Sequence, residues 1–228
     1  MIKNDRVSVY IDGFNLYFGM LQKGFRHLLW LDLVCLSKSF LRPGQILSAV
    51  NYFTSYVRNN PEKEKRQNTF IEALQARGGI NMQFGYFQMK NFTCRSCGHT
   101  YPDPAEKMTD VNISVSLISD AYEDKFDTAI LMSGDSDLVP PVKIIRNRFP
   151  KKKIVIAFPP ARLNNSLQYE ANASFVIGRK TLKDCQLPDV VKKPNGFELR
   201  CPSKWQKEVC AGCGTEIKPM DLKVTGEN

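Results

Sequence analysis

The sequence predicts an α/β fold: a doubly wound, mainly parallel sheet with a small zinc-knuckle appendage. Three observations lead there. Short runs rich in Val and Ile alternate with longer stretches of helical periodicity, as βα units do. Runs such as Ile130–Met132 are apolar at every position, as strands covered on both faces are. Two C-x-x-C pairs, Cys94 with Cys97 and Cys210 with Cys213, stand outside these units. The chain of 228 residues is 43% hydrophobic, enough for one such core and a small addition.

Arg6–Ile11 reads as the first strand. It runs into Asp12, then Gly13 for a tight turn, then Asn15 at the entry of a helix over Leu16–Leu21. Asn15 can orient a water or a phosphate oxygen, or cap the helix. Gly24–Leu31 reads as a loop. Asp32 caps a helix over Leu33–Leu41 that Arg42–Pro43–Gly44 stops. Ile46–Val57 begins as the second strand and is broken by Arg58–Pro61. A helix over Glu62–Arg77 follows, with Lys63, Lys65 and Arg66 near its head and Phe70, Ile71 and Leu74 on its apolar face. Ile80–Met89 is expected as the third strand.

A helix is expected over Glu106–Tyr122, with Thr109 as N-cap and Val111, Val115 and Ile118 on its core face, Leu117 beside them. Asp110 falls in its first turn, where the helix dipole steadies a carboxylate. Lys107, just before, can neutralise substrate charge or simply be exposed. Thr128–Met132 is the fourth strand, followed by Ser133–Gly134–Asp135–Ser136–Asp137. Gly134 permits the turn, Ser136 or Asp137 can cap the next helix, and the prolines at 140 and 141 suit its first turn. Ile154–Phe158 is the fifth strand, and Arg162 in the loop after it is the best candidate for a phosphate contact. Ser166–Asn172 reads as a short helix and Ser174–Ile177 as a last strand. From Arg179 the chain is loop-rich. Residues 1–178 are thus expected to form the main domain, with a cysteine-knuckle insertion near 91–102. Residues 179–228 are expected to form an extension that completes a zinc site.

The carboxyl edge of an open α/β sheet is where ligands collect. Asp12, Asp110 and the pair Asp135 and Asp137 are expected at that edge, from three different elements. Spaced carboxylates invite a divalent cation, and hard oxygen donors suit Mg2+ or Mn2+. Such an ion lowers the pKa of bound water and steadies charge on a phosphoryl oxygen. A net charge of +9 favours a polyanionic partner, nucleic acid before membrane. No apolar run reaches transmembrane length, and the N-terminus lacks a signal-peptide core, so a cytoplasmic location is expected. Seven cysteines suit metal ligation in a reducing compartment better than a disulfide framework. Cys94, Cys97, Cys210 and Cys213 together make a tetrahedral Zn2+ site, closed and therefore structural.

Three stretches carry a resemblance: Tyr10–Ile11–Asp12–Gly13–Phe14–Asn15–Leu16–Tyr17, Lys107–Met108–Thr109–Asp110–Val111 and Ser133–Gly134–Asp135–Ser136–Asp137–Leu138–Val139–Pro140. Together, and in this order, they resemble the NYN domain, of the LabA-like group, within the PIN-like nuclease superfamily. The resemblance covers about Arg6 to Ile177. It implies a PIN-like Rossmannoid sheet and a Mg2+- or Mn2+-dependent endoribonuclease acting on RNA. Carried over by position, Asp12, Asp110, Asp135 and Asp137 match the family's metal-binding acids and Asn15 its supporting amide. The competing expectation is a non-catalytic RNA-binding or regulatory module on the same fold. Oligomeric state is left open, a homodimer included.

Overall fold

The computed structural model describes residues 4–58 and 60–207, with the side chains of 87–91 and 101–106 outside that description. Cys210 and Cys213, and with them the second half of the expected zinc site, lie outside the described residues.

In chain order the elements are β1 (Asp5–Asp12), α1 (Gly13–Gln22), α2 (Leu33–Lys38), β2 (Gln45–Thr54), α3 (Pro61–Arg77), β3 (Asn81–Phe84), β4 (Tyr86–Thr93), β5 (Thr100–Lys107) and α4 (Thr109–Tyr122). They continue with β6 (Thr128–Met132), α5 (Val139–Arg148), β7 (Lys153–Phe158), α6 (Asn165–Glu170), β8 (Ala173–Val176), α7 (Arg179–Asp184), β9 (Val190–Lys192) and β10 (Glu198–Arg200). Six strands form one sheet in the order β3-β2-β1-β6-β7-β8, and every pairing in it is parallel. β1 and β6 are its central neighbours, in register from Val7 opposite Thr128 to Ile11 opposite Met132. The order reverses between them, which opens a crevice at their carboxyl ends.

Alternation along β1 divides the core. Val7, Val9 and Ile11 join one buried cluster with Leu16, Met20, Leu36 and Leu74. Tyr10, on the opposite face, joins a second cluster with Ile113, Leu117, Leu131 and Ile156. The sheet is therefore covered on both faces, which is why its central strands are apolar at every position. The C-terminal extension packs into the first cluster through Leu182, Leu187, Val191, Leu199 and Trp205. Trp30, in the expected loop, is 3% exposed, and its Nε1 donates to the Pro188 carbonyl at 2.8 Å. Cys35 and Cys185, with sulfurs 2.8 Å apart, join the same extension to α2. Burial and the neighbouring Cys35 push the Cys185 thiol up to about 12.

Several expectations need correction. The third strand is not continuous. Gly85 divides it, and a Cβ there would come within 2.5 Å of the Lys107 carbonyl oxygen and of Ser55 Oγ. After Gly85 the chain leaves the sheet as β4 and pairs antiparallel with β5, a strand that alternation did not reveal. The hairpin closes around Cys94–Gly98, where Gly98 N–H donates to the Cys94 carbonyl and Cys94 N–H to the His99 carbonyl. Because β5 runs to Lys107, helix α4 begins at Thr109 and not at Glu106. Thr109 is its first residue, and Met108 in the cap position provides no side-chain bond. The buried face of α4 is Ile113, Leu117 and Ala121, while Val111 and Val115 are 54% and 57% exposed. Both faces of this helix carry apolar residues: of the expected stripe Leu117 is buried and Ile118 packs partly against the core, while Val111 and Val115 lie outside it. α2 is also shorter than expected, ending at Lys38.

Asp32 does cap α2. It is 5% exposed, accepts from Val34 N–H and Cys35 N–H, and pairs with Arg77 Nε at 2.9 Å. We expect Asp32→Ala to lower stability by about 1–2 kcal/mol through loss of the cap. Arg77→Ala should cost less, because an exposed ion-pair partner contributes about 0–1 kcal/mol; urea unfolding midpoints of the two variants check the order. Gly134, after β6, lies against the loop that follows β7: a Cβ there would come within 1.8 Å of the Arg162 carbonyl oxygen. Gly134→Ala must push that backbone away, and about 1–3 kcal/mol of stability should be lost, as for overpacking elsewhere. The same unfolding measurement reads it.

Candidate functional site

At the carboxyl ends of β1 and β6, hydrogen bonds join residues far apart in sequence. Asp12 ends β1 and caps α1, its Oδ1 accepting from Asn15 N–H at 3.0 Å. Its Oδ2 accepts from Ser133 Oγ at 2.9 Å. Ser133 Oγ in turn accepts from Asp135 N–H at 3.1 Å. Asn15 Oδ1 accepts from Gly134 N–H at 2.9 Å, a second tie between the two strand ends. Asp135 Oδ1 accepts from Asp137 N–H at 3.0 Å and so caps the short 3-10 turn Ser136–Leu138. The cap is Asp135, where Ser136 or Asp137 had been expected. The reason is that the helix opens one residue early as a 3-10 turn before α5.

Asp12, Asn15 and Asp135 are thus brought together, with Asp12 4% exposed and Asp135 half-buried. Asp137 is exposed in the first turn after Asp135. Asp110 lies in the first turn of α4, which packs against β1, β2 and the Ser136–Leu138 turn. The residue before it, Thr109, has its Oγ1 3.3 Å from Ser55 Oγ, just beyond the carboxyl end of β2. Among the described residues, no group of three or more His, Cys, Asp or Glu side chains could hold a metal ion.

Arg162 flanks the relay. Its backbone packs on Gly134, and its Cγ lies where a Cβ on Gly19 of α1 would come within 2.8 Å. Its Nε is buried and has no hydrogen-bond partner. A buried guanidinium donor without an acceptor is costly unless a ligand supplies one. Lys107 is half-buried at the end of β5 and makes no ion pair among the described residues. Two of the non-glycine residues with positive φ adjoin these groups: Met108 at 75° before Asp110, and Ala161 at 57° before Arg162. Such backbone costs on the order of 1–3 kcal/mol and collects at functional sites.

The Cys94–Cys97 turn lies away from this relay, at the tip of the β4–β5 hairpin. Backbone N–H groups of Cys97 and Ser96 hold the Cys94 thiol below its ordinary range. Sequence reasoning missed two features. Ser133, fully buried, links the Asp12 carboxylate to the Asp135 backbone, and its position between a strand end and Gly134 was the available signal. Tyr52, near the end of β2, lines a cavity beside α1; burial, with a contribution from the Asp12 charge, pushes its hydroxyl up to about 12.

Comparisons with known proteins agree with this architecture. The chain is 26% identical over 235 aligned residues to 6-hydroxy-3-succinoylpyridine 3-monooxygenase HspA of Pseudomonas putida, covering 83% of this chain and 73% of that protein. Its fold resembles the crystal structure of a protein of unknown function from Vibrio parahaemolyticus, with a TM-score of 0.51 and 18% identity over 81% of this chain and 98% of the other. The family model of the NYN domain matches residues 6–178, a span that runs from the second residue of β1 past the end of β8 and contains every residue of the relay. On that match, this chain belongs to the NYN domain family.

Proposed function

We propose that the chain is a metal-dependent ribonuclease whose site is the relay at the carboxyl ends of β1 and β6. NYN domains form a PIN-like nuclease family whose members are generally RNA-cleaving hydrolases, and this supports the reaction class. The observation that carries the assignment is the convergence of Asp12, Asn15, Ser133 and Asp135, with the Arg162 backbone packed on the same turn and its buried Nε without a hydrogen-bond partner. All four relay side chains offer hard oxygen atoms, and none offers sulfur or imidazole. This donor set suits Mg2+ or Mn2+ held by one or two carboxylates with several retained waters, a mode magnesium favours. Asp12 and Asp135 would hold the ion, with Asn15 beside them and Asp110 and Asp137 within the same edge. When bound, the ion supplies an activated water and neutralises charge at phosphorus.

The protein's own part is orientation. Ser133 holds the Asp12 carboxylate in one rotamer and the Asp135 backbone against it. Asn15 fixes the Gly134 turn, so that the two strand ends keep one spacing. Arg162 offers its buried donor to a phosphate oxygen, where a charge-assisted bond is strongest. Lys107 adds positive charge at the entry. Cys94 and Cys97, presented by a tight turn, would supply half of a structural Zn2+ site, with Cys210 and Cys213 as the other half.

The lack of a three-acid cluster among the described residues favours one second reading, an RNA-binding module without cleavage. It predicts RNA retention that falls steeply with salt and no cleavage under any divalent ion.

Mixed RNA incubated with the protein and Mg2+ or Mn2+ separates the two. The wild type should shorten the RNA, EDTA should stop it, and Asp12→Asn and Asp135→Asn should each slow it at least about a hundredfold. Equal RNA loss by wild type and Asp135→Asn removes this site from the mechanism. Arg162→Ala should weaken RNA binding and lower the slope of log affinity against log salt by about one, as for a single phosphate contact. An unchanged slope places Arg162 outside the RNA path.

A further inference from the structure

A cavity of about 740 Å³ opens between α1, the end of β2, α3 and the Ser203–Trp205 turn. That volume is the size of a small-molecule site. It shares a wall with the relay: Gly13 and Phe14, the residues after Asp12, line it, and so does Tyr52. Its aromatic side is built from Tyr17, Tyr52, Phe70 and Trp205. Phe70 and Trp205 meet edge to face with ring centroids 5.8 Å apart, and Tyr17 lies 6.4 Å from Trp205.

The charge on the lining has one sign. Arg26, Arg58, Lys63, Arg66 and Lys204 contribute to it, and no Asp or Glu does. Outside the lining, Arg58 meets Glu64 at 3.3 Å and Arg66 faces Glu62 at 3.8 Å, beyond hydrogen-bond reach. Arg26, Lys63 and Lys204 make no ion pair among the described residues. Arg66 is the best buried of the five, its side chain 15% exposed, and its Nη1 is buried without a hydrogen-bond partner. Gln67 holds this wall in place, donating to the Ser55 carbonyl and accepting from Val57 N–H.

Aromatic walls beside five cations, of which Arg26, Lys63 and Lys204 make no ion pair among the described residues, suit a flat ring that carries an anionic group. A purely apolar ligand would leave the cations unanswered, and a free anion would leave the rings unused. We propose that this cavity seats one nucleotide of the RNA strand, its base against Phe70, Tyr17 and Trp205 and its phosphate against Arg66, Arg58 and Lys63. The proposal rests on the ribonuclease reading and deepens it: the seated nucleotide would sit beside the Asp12 relay and position the strand there. Base stacking gives sequence-tolerant grip, and the shape of the cavity gives what base preference the protein has.

Titration calorimetry of the full-length protein in EDTA tests it apart from cleavage. The probes are 5′-AMP, 5′-UMP, adenosine and pyridine-3-carboxylate. The monophosphates should bind, and adenosine should bind at least about tenfold more weakly, as loss of a charge-assisted bond implies. Arg66→Ala should weaken 5′-AMP binding by about the same factor. The double variant Arg58→Ala/Lys63→Ala, with both positions exposed, should do so without disturbing the fold. Overturning results are adenosine binding as well as 5′-AMP, pyridine-3-carboxylate binding as tightly as the monophosphates, or unchanged 5′-AMP binding in both variants. RNA cleavage by a protein that binds no monophosphate also overturns the cavity assignment. Monophosphate binding by a protein that cleaves no RNA supports the cavity and overturns the ribonuclease.

Discussion

One hydroxyl group organises the centre of this molecule. Ser133 Oγ donates to Asp12 and accepts from the Asp135 backbone, so a single fully buried atom joins the carboxyl ends of the two central strands. A hydroxyl is suited to this because it is both donor and acceptor and rotates to fit. Asn15 adds the second tie through Gly134 N–H. With two bonds across one crevice, the start of α1 and the 133–135 turn hold a fixed spacing. Gly134 has a further task, since only a missing side chain lets the Arg162 backbone lie against the turn. The loop that carries Arg162 is thereby packed against the turn between Ser133 and Asp135.

The two edges of the sheet treat charge differently. At the amino edge, Arg6 binds Asp127 through Nε at 2.9 Å and Asp124 through Nη2 at 2.9 Å. Lys152, 8% exposed, joins Asp124 and also donates to the Phe126 carbonyl. Lys152, then Arg6, holds the Asp124 carboxyl below the ordinary carboxylate range. These charges answer one another, and their role is to finish the ends of β1 and β6. At the carboxyl edge, buried nitrogen donors of Arg162 and Arg66 have no acceptor. Nitrogen donors left without an acceptor, where the other edge satisfies its own, suit an anion at the carboxyl edge.

The strand–Asp–Gly–Asn and strand–Ser–Gly–Asp patterns made Asp12, Asn15 and Asp135 legible, because each carries its own turn chemistry. Whether they meet depends on which strands are neighbours, and nothing local encodes that β1 lies beside β6. Ser133 went unnoticed as a partner of Asp12 because that bond spans 121 positions. The β4–β5 hairpin was hidden for a different reason. Residues 100–107 contain two prolines and several charged groups and show no alternation, yet the strand pairs fully with β4. On α4, Val111 and Val115 fit a core stripe as well as Ile113 and Leu117 do, and only the packing partner decides between them.

By itself the sequence determined the class of the fold, the order of its βα units, the cap at Asp32 and the acids at strand ends. Those follow from short-range rules: periodicity, glycine turns and side chains that bond their own backbone. Tertiary structure alone decided the strand order, the face of α4 that is buried, the bridge through Ser133 and the cationic, aromatic cavity between α1 and α3. Each of these depends on groups distant in the chain arriving within a few ångströms of one another, and local propensity carries no record of that.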